Sequence, residues 1–335
     1  FTIPFKNHTD ISIEMAKIVA KIGDERTWID LTQDSLKFQA YPIELYWFDD
    51  GIFVINSTQE YSSIIGQRLV AINHLPIDEI ITKLSSLIPS GNEGRLKYIS
   101  PKYLSIPEIL EALDIIDSAD QATYILEKEN KLTEVQMTST SKNKIPWIDL
   151  YNKISPMVSL FNQNFEKNYS FQYLSAYQTL QFQYNLCKND VKLPFDEFIK
   201  NMFHEIDNHE IQKVIIDMRH NSGGNKKLLD AFFTELRKRN LHTKSDFIYV
   251  MTGRATFAEA LGNVYQLRQK ANAVIIGEKP GGQLNYFEDV VEFSLPNSQL
   301  KVQCSSKPLY TENPKLDTLM PDILVSITAD KYFIR

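Results

Sequence analysis

Three stretches carry the residues whose types and spacing could do chemistry. In VMTGRATFAEAL, residues 250 to 261, an apolar run from Phe247 to Met251 enters a Thr252-Gly253 turn. A helical spacing then follows through Ala258, Leu261, Val264 and Leu267. Strand, tight turn and helix N-terminus is how several hydrolase folds present a nucleophile to a cleft. There is no serine in it. In KVIIDMRHNSGGN, residues 213 to 225, a buried strand ends at Asp217 and a helix opens near Lys226. The adjacent Gly223 and Gly224 between them let backbone N–H groups face a cleft unobstructed, as an oxyanion hole requires. An ordinary glycine-rich strand-to-helix turn would be spelled the same way, and His220 beside it reads as a surface histidine. AVIIGEKPGGQLNYFED, residues 273 to 289, repeats strand, glycine turn and Pro-Gly-Gly loop. Two glycine loops at strand ends, flanking the first stretch, converge where α/β folds place their sites.

The rest of the chain must position these three. With 335 residues, 43% hydrophobic and 11% aromatic, it has length for a sizeable core in two domains. A formal charge of -6 with signs well mixed and no basic stripe argues against nucleic acid as a partner. No run approaches a membrane span. The two cysteines, Cys187 and Cys304, read as free thiols, and no spacing suits zinc. Residues 1–40 form an N-terminal helical segment, with Ile11, Met15, Ile18, Val19 and Ile22 on one face, Asp10 as N-cap and Gly23 as C-cap. Residues 41–140 read as a small β-rich module: IELYWFDDGIFVI is a hairpin around Asp-Asp-Gly, and QATYILEKENKLTEVQMTS is another. TSTSKNK, 138 to 144, is a linker candidate. From 141 to 335 buried strands alternate with helices, which implies an α/β core paired mainly in parallel.

These motifs, in this order, resemble the carboxy-terminal-processing (tail-specific) serine peptidases, and more closely their tricorn-core-like branch. There a strand ending D-L-R-x-N-x-G-G supplies the oxyanion loop, here DMRHNSGG; a G-E-x-x-G-G loop follows the nucleophile helix, here GEKPGG. MPDI, 320 to 323, matches the family's ending, and IVAKIGDERT matches a segment that reads I-V-A-x-I-G-D-G-H-T. GQRLVAINHLPIDEI resembles part of the family's divergent PDZ-like domain. The resemblance spans nearly the whole chain. It implies a crotonase-like (ClpP-like) α/β core, domain 141–335, with a PDZ-like domain over 41–140 and the helical segment 1–40. It also implies acyl transfer by a serine, assisted by a lysine or by a histidine-carboxylate pair.

The pattern breaks at the reacting groups. Ala258 stands at the nucleophile position and Arg26 at the histidine position. Gln283 stands near the lysine of the tail-specific branch. Asp317, or alternatively Glu312, is the candidate acid. Gly223 and Gly224 remain as the oxyanion loop, with Thr256, Gln283 and Asn285 expected along the cleft. Alanine cannot attack a carbonyl, and arginine stays protonated across the accessible pH range. Thr256 sits two residues early and Ser222 lies in the oxyanion loop, so neither is a convincing substitute nucleophile. A serine-to-alanine change alone reads as a deliberate knock-out. The further replacement of histidine by Arg26 and glycine by Glu25 favours natural degeneration. The expectation is a peptidase fold without its catalytic set, binding peptide or unfolded protein segments in the cleft. The alternative is a serine endopeptidase represented by its nucleophile-to-alanine variant. No cofactor is expected, a homo-oligomer is allowed for, and the resemblance favours an extracytoplasmic location.

Other prominent residues have structural readings. Trp47, Phe48 and Phe53 suit the core of the 41–140 module, and Asp217 with Arg219 suits a loop tether. Arg254 and Thr256 suit positioning of the turn, the latter as an N-cap, and Glu278 suits a buried ion pair. Arg26 is expected to pair with Asp317 or Glu312.

Overall fold

A computed structural model describes residues 7–89, 92–149, 166–309 and 318–333. The chain opens with α1, His8–Ala20, closed at its start by a reciprocal capping box between Asn7 and Asp10. Asn7 is therefore the cap, and Asp10 is its N3 partner. The buried face is rotated from the one expected: Met15 and Val19 still pack against the core, but the centre of the contact lies elsewhere. Ile13, Ala16 and Ala20 are buried, whereas Ile18 and Ile22 are exposed. The small Ala side chains let the helix lie close to its neighbour, and that contact decides the face.

The first sheet is antiparallel and contains β1, Ile43–Phe48, β2, Gly51–Ser57, and β3, Arg68–Ile72. Helices α2, Ile77–Ser85, α3, Glu93–Tyr103, and α4, Pro107–Ala112, follow, the last packing against α1. Strands β4, Gln121–Lys128, and β5, Lys131–Thr138, complete the order β1-β2-β3-β4-β5, with Leu75–Pro76 alongside β3. Both hairpins form as the sequence predicts. The second turns through Glu129 and Asn130 at φ 50° and 61°, a two-residue turn that matches strand twist. Stretch 138–144 is tethered rather than open: Thr140 and Ser141 pair with Ala40 and Gln39.

The second sheet holds β6, Tyr169–Leu174, and β7, Thr179–Tyr184. After α5, Phe195–Asn208, come β8, Lys213–Asp217, and α6, Asp230–Lys238. Then β9, Ile248–Thr252, α7, Ala258–Ala271, and β10, Val274–Gly277, lead to β11, Ile323–Leu324. Its order is β11-β10-β9-β8-β7-β6, parallel except for the β6/β7 hairpin. Val214, Ile216, Ile248, Val250 and Ile275 are fully buried, which is why these strands read as unbroken apolar runs.

Each sheet organises its own apolar cluster. The first gathers α1 and the strands and helices up to Met137, and it also takes in Leu300 and Val302 from the last third of the chain. The second runs from Tyr169 to Leu319. Phe48 is fully buried, with its ring 5.8 Å from that of Phe53. Between the clusters, Arg254 on the β9–α7 turn reaches back to β1: it donates to the Trp47 carbonyl and pairs with Glu278 at 2.7 Å. The Tyr46 hydroxyl donates to the same Glu278 carboxylate at 2.8 Å. Among the described residues no helix is long and apolar enough to cross a membrane.

Candidate active site

The turn between β9 and α7 is held from every side. Thr256 Oγ1 donates to the Met218 carbonyl at 2.8 Å and accepts from the Gly253 N–H at 3.0 Å. Phe257 N donates to the Asn221 carbonyl at 3.1 Å, and Gly282 N to the Thr256 carbonyl at 3.2 Å. A side chain at Gly281 would strike the Arg254 carbonyl and the Phe257 ring, so the Pro-Gly-Gly loop can lie directly beneath the turn only because it is glycine. Asn92 fastens that loop from α3, donating to the carbonyls of Gly281 at 3.2 Å and Gly282 at 3.1 Å.

What this clamp enforces is the backbone of Ala258. Its φ is +51°, left-handed, although it carries a β-carbon and opens a helix. A non-glycine residue there costs on the order of 1–2 kcal/mol. That strain is what a nucleophile turn uses to expose its side chain at the head of a helix. Thr256 is not the N-cap the sequence suggests: Phe257 holds that position and makes no side-chain cap bond. Thr256 is fully buried, so it pins the turn and does not face the cleft.

The DMRHNSGG loop lies against this turn. Asn221 holds it, donating to the Tyr184 carbonyl at 2.8 Å and accepting the Gly223 N–H at 3.0 Å. Of the paired glycine donors, Gly223 is therefore turned inward. A β-carbon on Gly223 would lie 3.0 Å from the Ala258 β-carbon. Gly224, at φ +124°, directs its N–H onto Glu259 Oε2 at 3.0 Å. Arg219 closes the strand end on Asp217 with a two-pronged contact at 2.9 and 2.6 Å, the structural role expected of both. His220 is half-buried, and burial lowers its affinity for a proton. It does not line the cavity at Ala258.

Arg26 comes to this place from the N-terminal segment. Its loop is built by Asp24, which accepts from the Thr27 hydroxyl at 2.6 Å and from Ser305, and by paired backbone bonds between Trp28 and Gln303. The Arg26 guanidinium pairs with Glu259 Oε1 at 2.6 Å and also donates to the Phe287 carbonyl. Arg26, Ala258, Glu259 and Ser222 line one cavity of about 700 Å³. The expected partners of Arg26, Asp317 and Glu312, lie outside the described residues; among the described residues Glu259 pairs with it. That residue follows Ala258 directly, and none of the motifs names it.

Glu25, next to Arg26, is almost fully buried, and its Oε2 accepts the Gln283 N–H at 3.0 Å. Burial pushes its carboxyl up to about 7, against the opposing pull of Arg95, the Gln283 N–H and Arg26. Arg95 lies 4.8 Å over the Trp28 ring and 5.5 Å from that of Phe257, and donates to the Glu25 carbonyl at 3.0 Å. Gln283 thus meets the base loop through its backbone, not through a side chain doing a lysine's work, and it does not line the cavity. Asn285 is half-buried and does not line it either. Cys187 packs behind the loop, and burial pushes its thiol up to about 11, which leaves no thiolate for attack at neutral pH. Cys187 and Cys304 are both free.

With this geometry in place the chain can be set beside known proteins. Mature CPAF superposes with a TM-score of 0.65 at 11% identity, covering 97% of this chain and 85% of its own. CPAF complexed with lactacystin gives 0.64 at 12% identity, covering 96% and 85%. The chain has the CPAF fold. The photosystem II D1 C-terminal processing protease aligns over 93% of this chain and 80% of its own, at 12% identity and a TM-score of 0.38. A putative S41 protease from Bacteroides fragilis is also similar, at 12% identity and a TM-score of 0.36, covering 86% of this chain and 76% of its own. No protein-family model matches the chain, and no curated protein sequence does. The CPAF fold is therefore visible here in three dimensions at an identity where residue roles have to be argued from this chain's own contacts.

Proposed function

We propose that this chain is a tail-specific-peptidase-fold protein that binds a peptide or an unfolded protein segment in its former active-site cleft and does not cleave it. The observation that carries this is the pair of replacements on one cavity: Ala258 holds the strained nucleophile conformation, and Arg26 stands opposite with its charge spent on Glu259. A methyl group has no lone pair to attack with. An arginine bound to a carboxylate takes up no proton. The cleft itself persists, lined by apolar Trp28, Tyr98 and Phe257 with charged groups among them, a surface suited to an extended chain. The crotonase-like core and PDZ-like module implied by the resemblance belong to this same reading.

The test pairs two measurements on the unaltered protein. Fluorophosphonate probes are expected to leave it unlabelled, while unstructured fluorescent peptides show saturable anisotropy changes that Tyr98→Ala weakens. Labelling of any cleft residue, or peptide binding indifferent to that substitution, would refute the reading. The second reading is a serine endopeptidase represented by a nucleophile-to-alanine variant, and the conformation of Ala258 favours it specifically. Left-handed backbone is costly to keep where no nucleophile is presented. Full hydrolysis by Ala258→Ser alone would establish that reading.

A further inference from the structure

The strongest unexplained feature of the cleft is where Glu259 puts its carboxylate. Oε2 takes the Gly224 N–H at 3.0 Å and Oε1 takes the Arg26 guanidinium at 2.6 Å. Two oxygens of one carboxylate are thus held by two donors from segments far apart in the chain. A β-carbon added to Gly223 would lie 2.7 Å from Oε2, so the carboxylate rests against bare glycine backbone. This is the geometry of an anion receptor: a glycine-loop N–H, a fixed guanidinium and a helix N-terminus behind them. It is full because the chain supplies its own anion.

We propose that the Gly224 N–H and the Arg26 guanidinium form a carboxylate-binding site, filled in cis by Glu259, that accepts a free carboxylate in trans when the Glu259 side chain is removed. The site recognises a carboxylate by its two oxygens, one to each donor. A peptide carbonyl oxygen is uncharged and must meet both donors with one atom, whereas a carboxylate brings one charged oxygen to each, and hydrogen bonds to a charged acceptor are the stronger ones. In the unaltered chain the position facing the oxyanion loop is therefore closed to a peptide carbonyl. This inference concerns the same cleft but does not rest on peptide binding.

Chemical rescue tests it. Glu259→Ala is expected to melt below the unaltered protein at pH 7.5. Sodium propionate, at about ten times its dissociation constant, is expected to raise that Tm by about 2–4 °C over sodium chloride of equal ionic strength. The unaltered protein is expected to show no such difference. In Arg26→Gln/Glu259→Ala the propionate response is expected to vanish, because one of the two donors is gone. Glu259→Ser provides a second cavity variant if the alanine variant is poorly folded. Equal responses in the unaltered and variant proteins would overturn the proposal, as would no response in either variant or a response that survives loss of Arg26. Failure of both variants to fold with or without propionate would also overturn it, since the carboxylate would then not be a removable occupant. The outcome is independent of any peptide result: peptide binding can fail while propionate rescue succeeds.

Discussion

Two segments that meet at the cleft differ in what holds them. The β9–α7 turn holds a left-handed backbone under a methyl group: Ala258 sits at φ +51°. The Asp24–Thr27 loop brings charge instead: Arg26 pairs with Glu259 and Glu25 is almost fully buried. Backbone at the turn is over-determined by Thr256, Asn221 and the Pro-Gly-Gly loop, so replacing one side chain leaves it standing. Side-chain charge has no such scaffold. Once Arg26 enters a partly buried cleft it requires a counter-charge, and Glu259 supplies it. Geometry persists where many neighbours fix it, and charge is repaired locally, one partner at a time.

The largest test of that contrast is catalytic. Ala258→Ser places a hydroxyl on an intact turn, yet on the proposed reading it is expected to give no measurable hydrolysis of an unstructured protein and background fluorophosphonate labelling. On that reading no base serves it and Glu259 already takes the Gly224 N–H; each such loss costs orders of magnitude in rate. Next in size is Arg26→Met, expected to lower unfolding stability by about 2 kcal/mol in urea titrations. The cost is below that of a sealed ion pair because Glu259 keeps 19% of its side chain exposed and retains the Gly224 N–H.

Glu25 sharpens the comparison through pH. Its folded carboxyl titrates near 7, above its ordinary value of 4.5, so the folded state holds the proton more tightly than the unfolded chain. Its favourable contribution is complete below pH 4.5 and is lost as pH rises through 7. Glu25→Gln fixes the neutral form and keeps an acceptor for the Gln283 N–H. It is expected to match the unaltered protein near pH 4.5 and to exceed it by about 1–3 kcal/mol at pH 8.5, read from denaturation at both pH values. The smallest effect belongs to the turn: Ala258→Gly relieves left-handed strain but loosens the unfolded chain, and is expected to raise stability by less than about 1 kcal/mol. A clear loss of stability there would show that the turn is not strained.

Much of this was legible from residues alone. DMRHNSGG and GEKPGG were readable as loops at strand ends because paired glycines after apolar runs have few other uses. The hairpins at Asp49–Gly51 and Glu129–Asn130 were readable from alternation broken by turn formers. The buried face of α1 was not, because Ala16 and Ala20 are chosen by how closely a neighbour approaches rather than by hydrophobicity. The inward turn of the Gly223 N–H depends on which donor the Asn221 side chain reaches, and the spelling N-S-G-G says nothing of that. For Glu259 a signal did exist: an arginine in a cleft needs a carboxylate, and the residue after Ala258 is one.

The sequence by itself determined the order of elements, the glycine loops at the strand ends, and the absence of a serine or histidine where the resemblance requires them. These depend on local backbone preference and on residue identity, which a linear string states outright. Only the tertiary structure decided that Arg26 and Glu259, 233 positions apart, pair with one another at the cleft. That pairing is set by packing across the cleft, where the cost of an unpaired buried charge selects whichever opposite charge the fold brings within reach.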